Sequence, residues 1–195
     1  MEHKIKELYS IMPIQNIPSI MTHGILSHKL ATQLSHTDIS MQEVQERRGQ
    51  KKIPSGLYLH EYANLYFCAR NPMMYSRKEK VDATCVLRID VNVAWLDGVF
   101  ACDGNASSDY TRFYKQEEWH GKLNFSVIFM DDWRSMDTYQ YWDQKRQKCA
   151  EILVPDSVAI NYITGAYIGS SIAEESLRIN GFEMDIEENK HIFFL

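Results

Sequence analysis

The 195-residue chain is most informative at first in what it lacks. It has only four cysteines, Cys68, Cys85, Cys102 and Cys149, and no two form a CxxC pair. No Cys/His group has ligand spacing, which argues against a zinc site, and no metal is expected. Each cysteine sits in an apolar stretch, as buried thiols do in a reducing compartment. No apolar run approaches the roughly 18–20 residues that span a bilayer, so no membrane segment is expected. Residues 1–8 are charged and lack the apolar core of a signal peptide. These absences predict a soluble, cytoplasmic protein.

Other signals are missing too. There is no repeat and no low-complexity linker, and the Walker, G-x-G-x-x-G, G-x-S-x-G and HExxH patterns are absent. An excess of positive charge is lacking as well: the formal net charge is -5. A coat that binds DNA without regard to sequence is normally basic, so any nucleic-acid contact here is expected to be local. The 12% aromatic content leaves room for base stacking instead.

What is present fits one globular domain over residues 1–195, with 45% hydrophobic and 24% charged residues. Leu8-Tyr9-Ser10-Ile11 reads as a strand. A helix follows, with Asn16 as its cap, Pro18 in its first turn and Gly24 as its stop. Ser40-Met41-Gln42-Glu43 has capping-box spacing and opens a second helix that ends at Gly49. Strands are expected over residues 56–62, 64–69, 84–91 and 99–102, whereas residues 125–129 fit helical spacing. Residues 160–163 have no assignable period. A further capping box, Ser171-Ile172-Ala173-Glu174, opens a helix that Gly181 ends. Residues 191–195 read as a last strand. Strands with interspersed short helices, without regular alternation, make the fold class α+β.

Five groups of residues can carry chemistry. Glu151 stands at the mouth of the apolar run Ile152-Leu153-Val154, which Pro155 ends. A carboxylate there is costly unless something polar uses it. Alone, it reads equally well as a strand-end Glu in water. Arg47 and Arg48 lie in the last turn of the second helix. The helix dipole favours cations there by about 0.3–1 kcal/mol, and a planar guanidinium turned inward also suits a phosphate. Ala69-Arg70-Asn71-Pro72-Met73-Met74-Tyr75 puts polar groups and an aromatic-Met cluster at a strand end, either as core packing or as a sandwich for a flat ring. Asp103-Gly104-Asn105-Ala106-Ser107-Ser108 is a turn cluster, followed by Thr111-Arg112-Phe113-Tyr114. Between residues 131 and 147, Trp133, Tyr139, Tyr141 and Trp142 interleave with Arg134, Lys145 and Arg146. That suits unstacked bases as well as it suits an amphipathic helix.

Taken in order, these motifs resemble a known family. Leu8-Tyr9, Asn16-Ile17-Pro18-Ser19-Ile20, Gly24-Ile25-Leu26-Ser27 and Val44-Gln45-Glu46-Arg47-Arg48 come first. Leu59-His60-Glu61-Tyr62, Asn71-Pro72-Met73-Met74-Tyr75, Asp103-Gly104-Asn105-Ala106-Ser107 and Ala150-Glu151-Ile152-Leu153-Val154-Pro155 follow. The set resembles the DarT family of DNA ADP-ribosyltransferase toxins over nearly the whole chain. The resemblance implies an ADP-ribosyltransferase fold, a split and mostly antiparallel sheet with short flanking helices. It implies transfer of ADP-ribose from NAD+ onto thymine or guanine of single-stranded DNA, without a metal, to block replication. It also implies an antitoxin partner that removes the modification, commonly a macrodomain hydrolase.

Glu151 matches the family's catalytic glutamate, and Arg48 or Arg47 its essential arginine. Ser10, Asn16, His60, Tyr66, Asn71, Met74 and Tyr75 join Arg48 as expected NAD+ contacts. Asn105, Ser107, Arg112, Tyr114, Trp133, Tyr139, Lys145 and Arg146 are the expected DNA contacts. One position departs from the pattern: the histidine usual after the first-strand tyrosine is Ser10 here, and a hydroxyl does not reproduce an imidazole. An RNA-directed enzyme of the same fold, or a non-catalytic NAD- or nucleic-acid-binding module, are the alternative readings.

Overall fold

The computed structural model describes residues 5–38 and 41–195. Among them, ten strands and seven α-helices alternate irregularly, joined by short 3-10 turns. The strands are β1 (Glu7–Pro13), β2 (Ile25–Leu26), β3 (Tyr62–Tyr66), β4 (Thr84–Asp90), β5 (Phe100–Cys102), β6 (Phe113–Lys115), β7 (Glu151–Pro155), β8 (Ser157–Val158), β9 (Ile163–Ile168) and β10 (Asp185–Glu188). The helices are α1 (Ile17–His23), α2 (His28–Ala31), α3 (Gln42–Gln50), α4 (Pro72–Tyr75), α5 (Phe125–Ile128), α6 (Thr138–Gln147) and α7 (Ser171–Ile179).

Eight strands form one sheet in the order β10-β9-β4-β1-β3-β7-β5-β6, and β2 pairs with β8. All pairings are antiparallel except β10 with β9. The sheet is split in the middle. β1 pairs with β4 along seven residues but meets β3 only at Tyr9 opposite Tyr66. Beyond that point the two strands diverge, and the edge of β1 from Ser10 onward is open toward a cleft. The halves are joined through a shared core. Leu8, Leu87 and Ile89 from one half bury into the same cluster as Leu65, Ile152 and Val154 from the other. Strand alternation fixes what remains for the cleft: Tyr62, Asn64 and Tyr66 face opposite to Ala63 and Leu65.

Several local expectations shift for identifiable reasons. Residues 56–62 do not form a strand. Tyr58 makes one bridge to Lys52, and Leu59–Glu61 is a 3-10 turn held by the Glu61 carboxylate on the Tyr58 N–H at 2.9 Å. The last helix is capped by Ser170, whose Oγ accepts from Ala173 N at 3.2 Å, one residue earlier than the sequence box implies. The box expected at Ser40 lies outside the described residues. Residues 191–195 form turns instead of a strand, yet Phe193 is fully buried, so the apolar run reports burial and not pairing. Gly24 does end α1, at φ 78°, where a Cβ would approach the Val158 carbonyl oxygen to 2.3 Å.

Candidate active site

Glu151 is the first residue of β7 and lies between two neighbours, opposite Tyr66 of β3 and Cys102 of β5. That central place explains why a glutamate is only 1% exposed. Two donors hold its carboxylate. Arg48 Nη1 reaches Oε2 at 3.1 Å and Oε1 at 3.5 Å, and the Ala106 backbone N–H reaches Oε1 at 3.0 Å. Arg48 is 7% exposed. Burial is the largest single influence and works against its charge, but the Glu151 carboxylate together with smaller contributions from other neighbours raises its pKa overall.

Arg48 turns inward because of how α3 docks. Successive helical residues point about 100° apart, so only one of an adjacent pair faces a given surface. Gly49 lies against the His60 ring, where a Cβ would come within 2.9 Å, and His60 Nε2 bonds Gln45 Oε1 at 3.0 Å. Lys51 Nζ also donates to the Ser108 carbonyl. Those contacts leave Arg48 toward β7. Arg47 faces out, half-exposed, with Nη2 3.8 Å from Glu43.

The second donor comes from the turn after β5. Asn105 Oδ1 accepts from the Ser107 N–H at 3.0 Å and the Ser107 hydroxyl at 2.8 Å, a closed Asx turn. Arg146 of α6 fastens this turn. Its Nη1 donates to Asp103 Oδ1 at 2.8 Å and Nη2 to Asp143 Oδ1 at 2.9 Å, while its carbonyl accepts from the Asn105 N–H at 3.0 Å. Gly104 is needed beneath it, since a Cβ would sit 2.5 Å from Arg146 Nη1.

Glu151 and Arg48 floor a cleft of about 1200 Å³. That exceeds the roughly 300–1,000 Å³ typical of small-molecule sites. Ser10, Asn16, Arg47, Tyr66, Asn105, Ser107, Tyr139, Lys145 and Arg146 also line it, as expected. Ser10 differs in kind. It pairs with Leu87 of the core, so alternation turns its side chain to the core face and leaves the open strand edge to the cleft. Asn16 does not cap α1; its side chain clasps Thr37, accepting from N at 2.8 Å and donating to O at 2.8 Å.

Seven expected contacts are not brought to the cleft. His60 packs against His28 with ring centroids 4.1 Å apart and the planes tilted by 34°, and it is His28 that reaches the cleft. Asn71 is fully buried as the cap of α4, accepting from Met74 N at 3.0 Å and donating to Cys68 O at 2.9 Å. Met74 packs with Ile11, Val86 and Phe193, while Met73 lines the cleft and accepts the Tyr66 hydroxyl at 3.1 Å. Tyr75 packs edge-on against Trp133 and Phe194, which also removes Trp133. Tyr114 packs on the main core, and the exposed Arg112 binds Asp103 through its backbone N–H. Arg146 does line the cleft, but its guanidinium is committed to Asp103 and Asp143.

The cleft also has members beyond the expected contacts, among them Trp142 of the aromatic run read between residues 131 and 147. Asn64 shares the Glu151 face through strand alternation. Trp142 follows Tyr139 and precedes Lys145 at three-residue helical spacing, and Lys145 Nζ lies 4.8 Å from its ring centre. Tyr110, 84% exposed, rises from the opposite loop. Burial, then Glu151, pushes the Tyr66 phenol and the Cys102 thiol well above their usual ranges. Cys149 is pushed up to about 12 by the same two causes. Neither thiol is a ready nucleophile. Among the described residues, no group of three His, Cys, Asp or Glu could hold a metal.

A family model described as "ssDNA thymidine ADP-ribosyltransferase, DarT" matches residues 9–194. The chain belongs to the DarT family. It is 31% identical over 203 residues to a DNA ADP-ribosyl transferase–DNA ADP-ribosyl glycohydrolase fusion protein of Thermosipho africanus, covering 98% of this chain and 50% of that one. A DNA ADP-ribosyl transferase of Thermus sp. (strain 2.9) is 28% identical over 75% of this chain and 73% of its own length. The Thermosipho africanus DarTG structure in complex with ADP-ribose superposes with a TM-score of 0.84 at 28% identity, over 97% of this chain and 51% of that one. Thermus sp. 2.9 DarT in complex with ADP-ribosylated ssDNA superposes with a TM-score of 0.84 at 22% identity, over 98% and 99%. The chain thus spans about half the length of the Thermosipho relative. The fold is the ADP-ribosyltransferase fold of this family, a large, mostly antiparallel sheet with short helices.

Proposed function

We propose that this chain, as one ADP-ribosyltransferase domain, transfers ADP-ribose from NAD+ to a base of single-stranded DNA. The observation that carries the reading is the buried Arg48–Glu151 pair at the floor of the cleft, in a chain of the DarT family. Loss of nicotinamide builds positive charge on the ribose. A fixed carboxylate aimed at that charge favours the transition state over the ground state. Arg48 and the Ala106 N–H hold Glu151 in one orientation. The attacking ring nitrogen has to lose a proton, and Glu151 is the acceptor.

NAD+ lies along the split, with Arg48 toward its phosphates and the open edge of β1, Tyr66 and Met73 around its nicotinamide. Tyr110, Tyr139, Trp142 and Lys145 form the rim that holds unstacked bases, which selects single strands over duplex. The target base is thymine, as in the family's description, with guanine as the competing outcome. The antitoxin partner is an ADP-ribosyl hydrolase, in keeping with the Thermosipho relative that carries a glycohydrolase in the same chain. The reaction and its block on replication belong in the cytoplasm; no helix among the described residues is long and apolar enough to cross a membrane.

The test is labelled NAD+ with oligonucleotides of mixed sequence, read by mass spectrometry of the released nucleosides. Modified thymidine is expected from wild type and none from Glu151→Gln, which retains NAD+ binding. Transfer by Glu151→Gln at the wild-type rate, or reaction of phosphorylated RNA in place of DNA, overturns the reading.

A further inference from the structure

A second cavity, of about 210 Å³, lies beyond the end of β3 and the start of β7 and shares no lining residue with the cleft. Its wall includes Lys148, Arg70, His191, Asp131 and Cys68. Lys148 is only 1% exposed. Its Nζ donates to the Ile128 carbonyl at 2.7 Å and to the Cys68 sulfur at 3.2 Å. An ammonium has three N–H groups, so one donor is left over. No carboxylate of the described residues lies within 4.0 Å of it. A buried ammonium without a counter-charge is costly, and a neutral carbonyl with a thiol is weak compensation.

The neighbouring basic groups point the same way. Arg70 Nη1 donates to the His191 carbonyl, and its guanidinium lies 3.9 Å from the Phe194 ring centre. Its Nε is buried without a hydrogen-bond partner among the described residues, at 3.8 Å from Asp131 Oδ1. Asp131, the one carboxylate on this wall, also takes the His191 ring at 3.0 Å, and its side chain is 72% exposed. Arg70 and His191 therefore share one solvated carboxylate, and Lys148 reaches none. The volume is below the roughly 300 Å³ at which ordinary ligand sites begin, and equals about seven waters at ~30 Å³ each. It admits a single tetrahedral oxyanion and not a nucleotide.

We propose that this cavity is a binding site for a phosphate-type oxyanion, held by the Lys148 and Arg70 side chains. The anion is either free phosphate or one phosphodiester group of a nucleic-acid strand, since both present the same oxygens. The assignment stands on the cavity alone and does not depend on the reaction in the cleft.

Calorimetric titration tests it, with inorganic phosphate in one arm and a trinucleotide of abasic deoxyribose phosphates in the other. Wild type, Arg70→Gln and Lys148→Met are compared, with circular dichroism as the check on folding. Saturable binding by wild type, weakened about tenfold or more in both variants, is the expected result. Binding of phosphate alone assigns the free ion, and binding of the trinucleotide assigns the strand. Should Lys148→Met fail to fold, Arg70→Gln carries the test, because its side chain lies at the cavity mouth, 20% exposed. No saturable binding of either probe, or wild-type binding by Arg70→Gln, overturns the proposal.

Discussion

Arg48→Met isolates the physics of the central pair. Glu151 keeps the Ala106 N–H at 3.0 Å but loses the cation at 3.1 Å, and both side chains are buried, at 8% and 2% exposure. Removing one member of a buried ion pair leaves the other charge uncompensated and costs about 3–5 kcal/mol. For a chain of this size, about 2–4 °C of Tm accompanies each kcal/mol, so the midpoint should fall by roughly 6–20 °C. Arg47→Met is the internal control. Its pair with Glu43 is long, at 3.8 Å, and solvated at 54% and 77% exposure. Such an i,i+4 pair contributes about 0.3–0.5 kcal/mol, or about 1–2 °C.

Glu151→Gln strands Arg48 in the same way. In the double variant Arg48→Met/Glu151→Gln no charge is left buried, and the Gln oxygen still accepts from Ala106. Its cost should therefore fall below the sum of the singles by roughly 1–3 kcal/mol. Thermal and denaturant unfolding of the four proteins measure this, while transfer assays on the same samples should find both singles and the double inactive. Additive losses within about 0.5 kcal/mol, or an Arg48→Met loss no larger than that of Arg47→Met, refute the buried-pair argument.

Arg146→Gln should lower turnover while leaving the apparent affinity for DNA and its salt dependence unchanged, because Arg146 fastens the turn that presents the Ala106 N–H; a lost salt slope in binding titrations identifies a phosphate contact instead. Gly104→Ala should reproduce that loss of turnover in the same transfer assay, since its Cβ collides with Arg146. Tyr110→Ala and Trp142→Ala should each weaken single-stranded DNA binding by about 1–3 kcal/mol, measured by fluorescence anisotropy, while NAD+ binding is retained. His28 and His60 have pKa values lowered by burial first, so the folded state resists their protonation. Their stabilising contribution is complete above the ordinary histidine value of about 6.5 and declines as pH falls below it. A His28→Gln/His60→Gln variant should accordingly show a flatter Tm profile between neutral and mildly acidic pH.

Some of this was legible along the chain because it depends on short-range rules. The apolar run after Glu151, the helix over residues 125–129 and the Gly24 stop are each set by periodicity or backbone freedom within a few residues. The order of motifs was enough to name the family and its fold. Apolar character alone misled where burial comes without pairing: Phe193 is a core residue, yet the 191–195 run is no strand.

The local sequence determined that a costly carboxylate stands at the mouth of a buried strand and that an arginine pair ends a polar helix. Only the tertiary structure decided which arginine meets it, because that depends on how α3 rests on His60, over a separation of 103 residues between Arg48 and Glu151. The same long-range packing set Arg146 to fastening a turn and raised Tyr110 and Trp142 to the rim, whereas the Asn71 cap is local, bonding Cys68 and Met74 three residues to either side. A short motif specifies which groups are available; the direction each one faces is set by the surfaces that distant parts of the chain bury together.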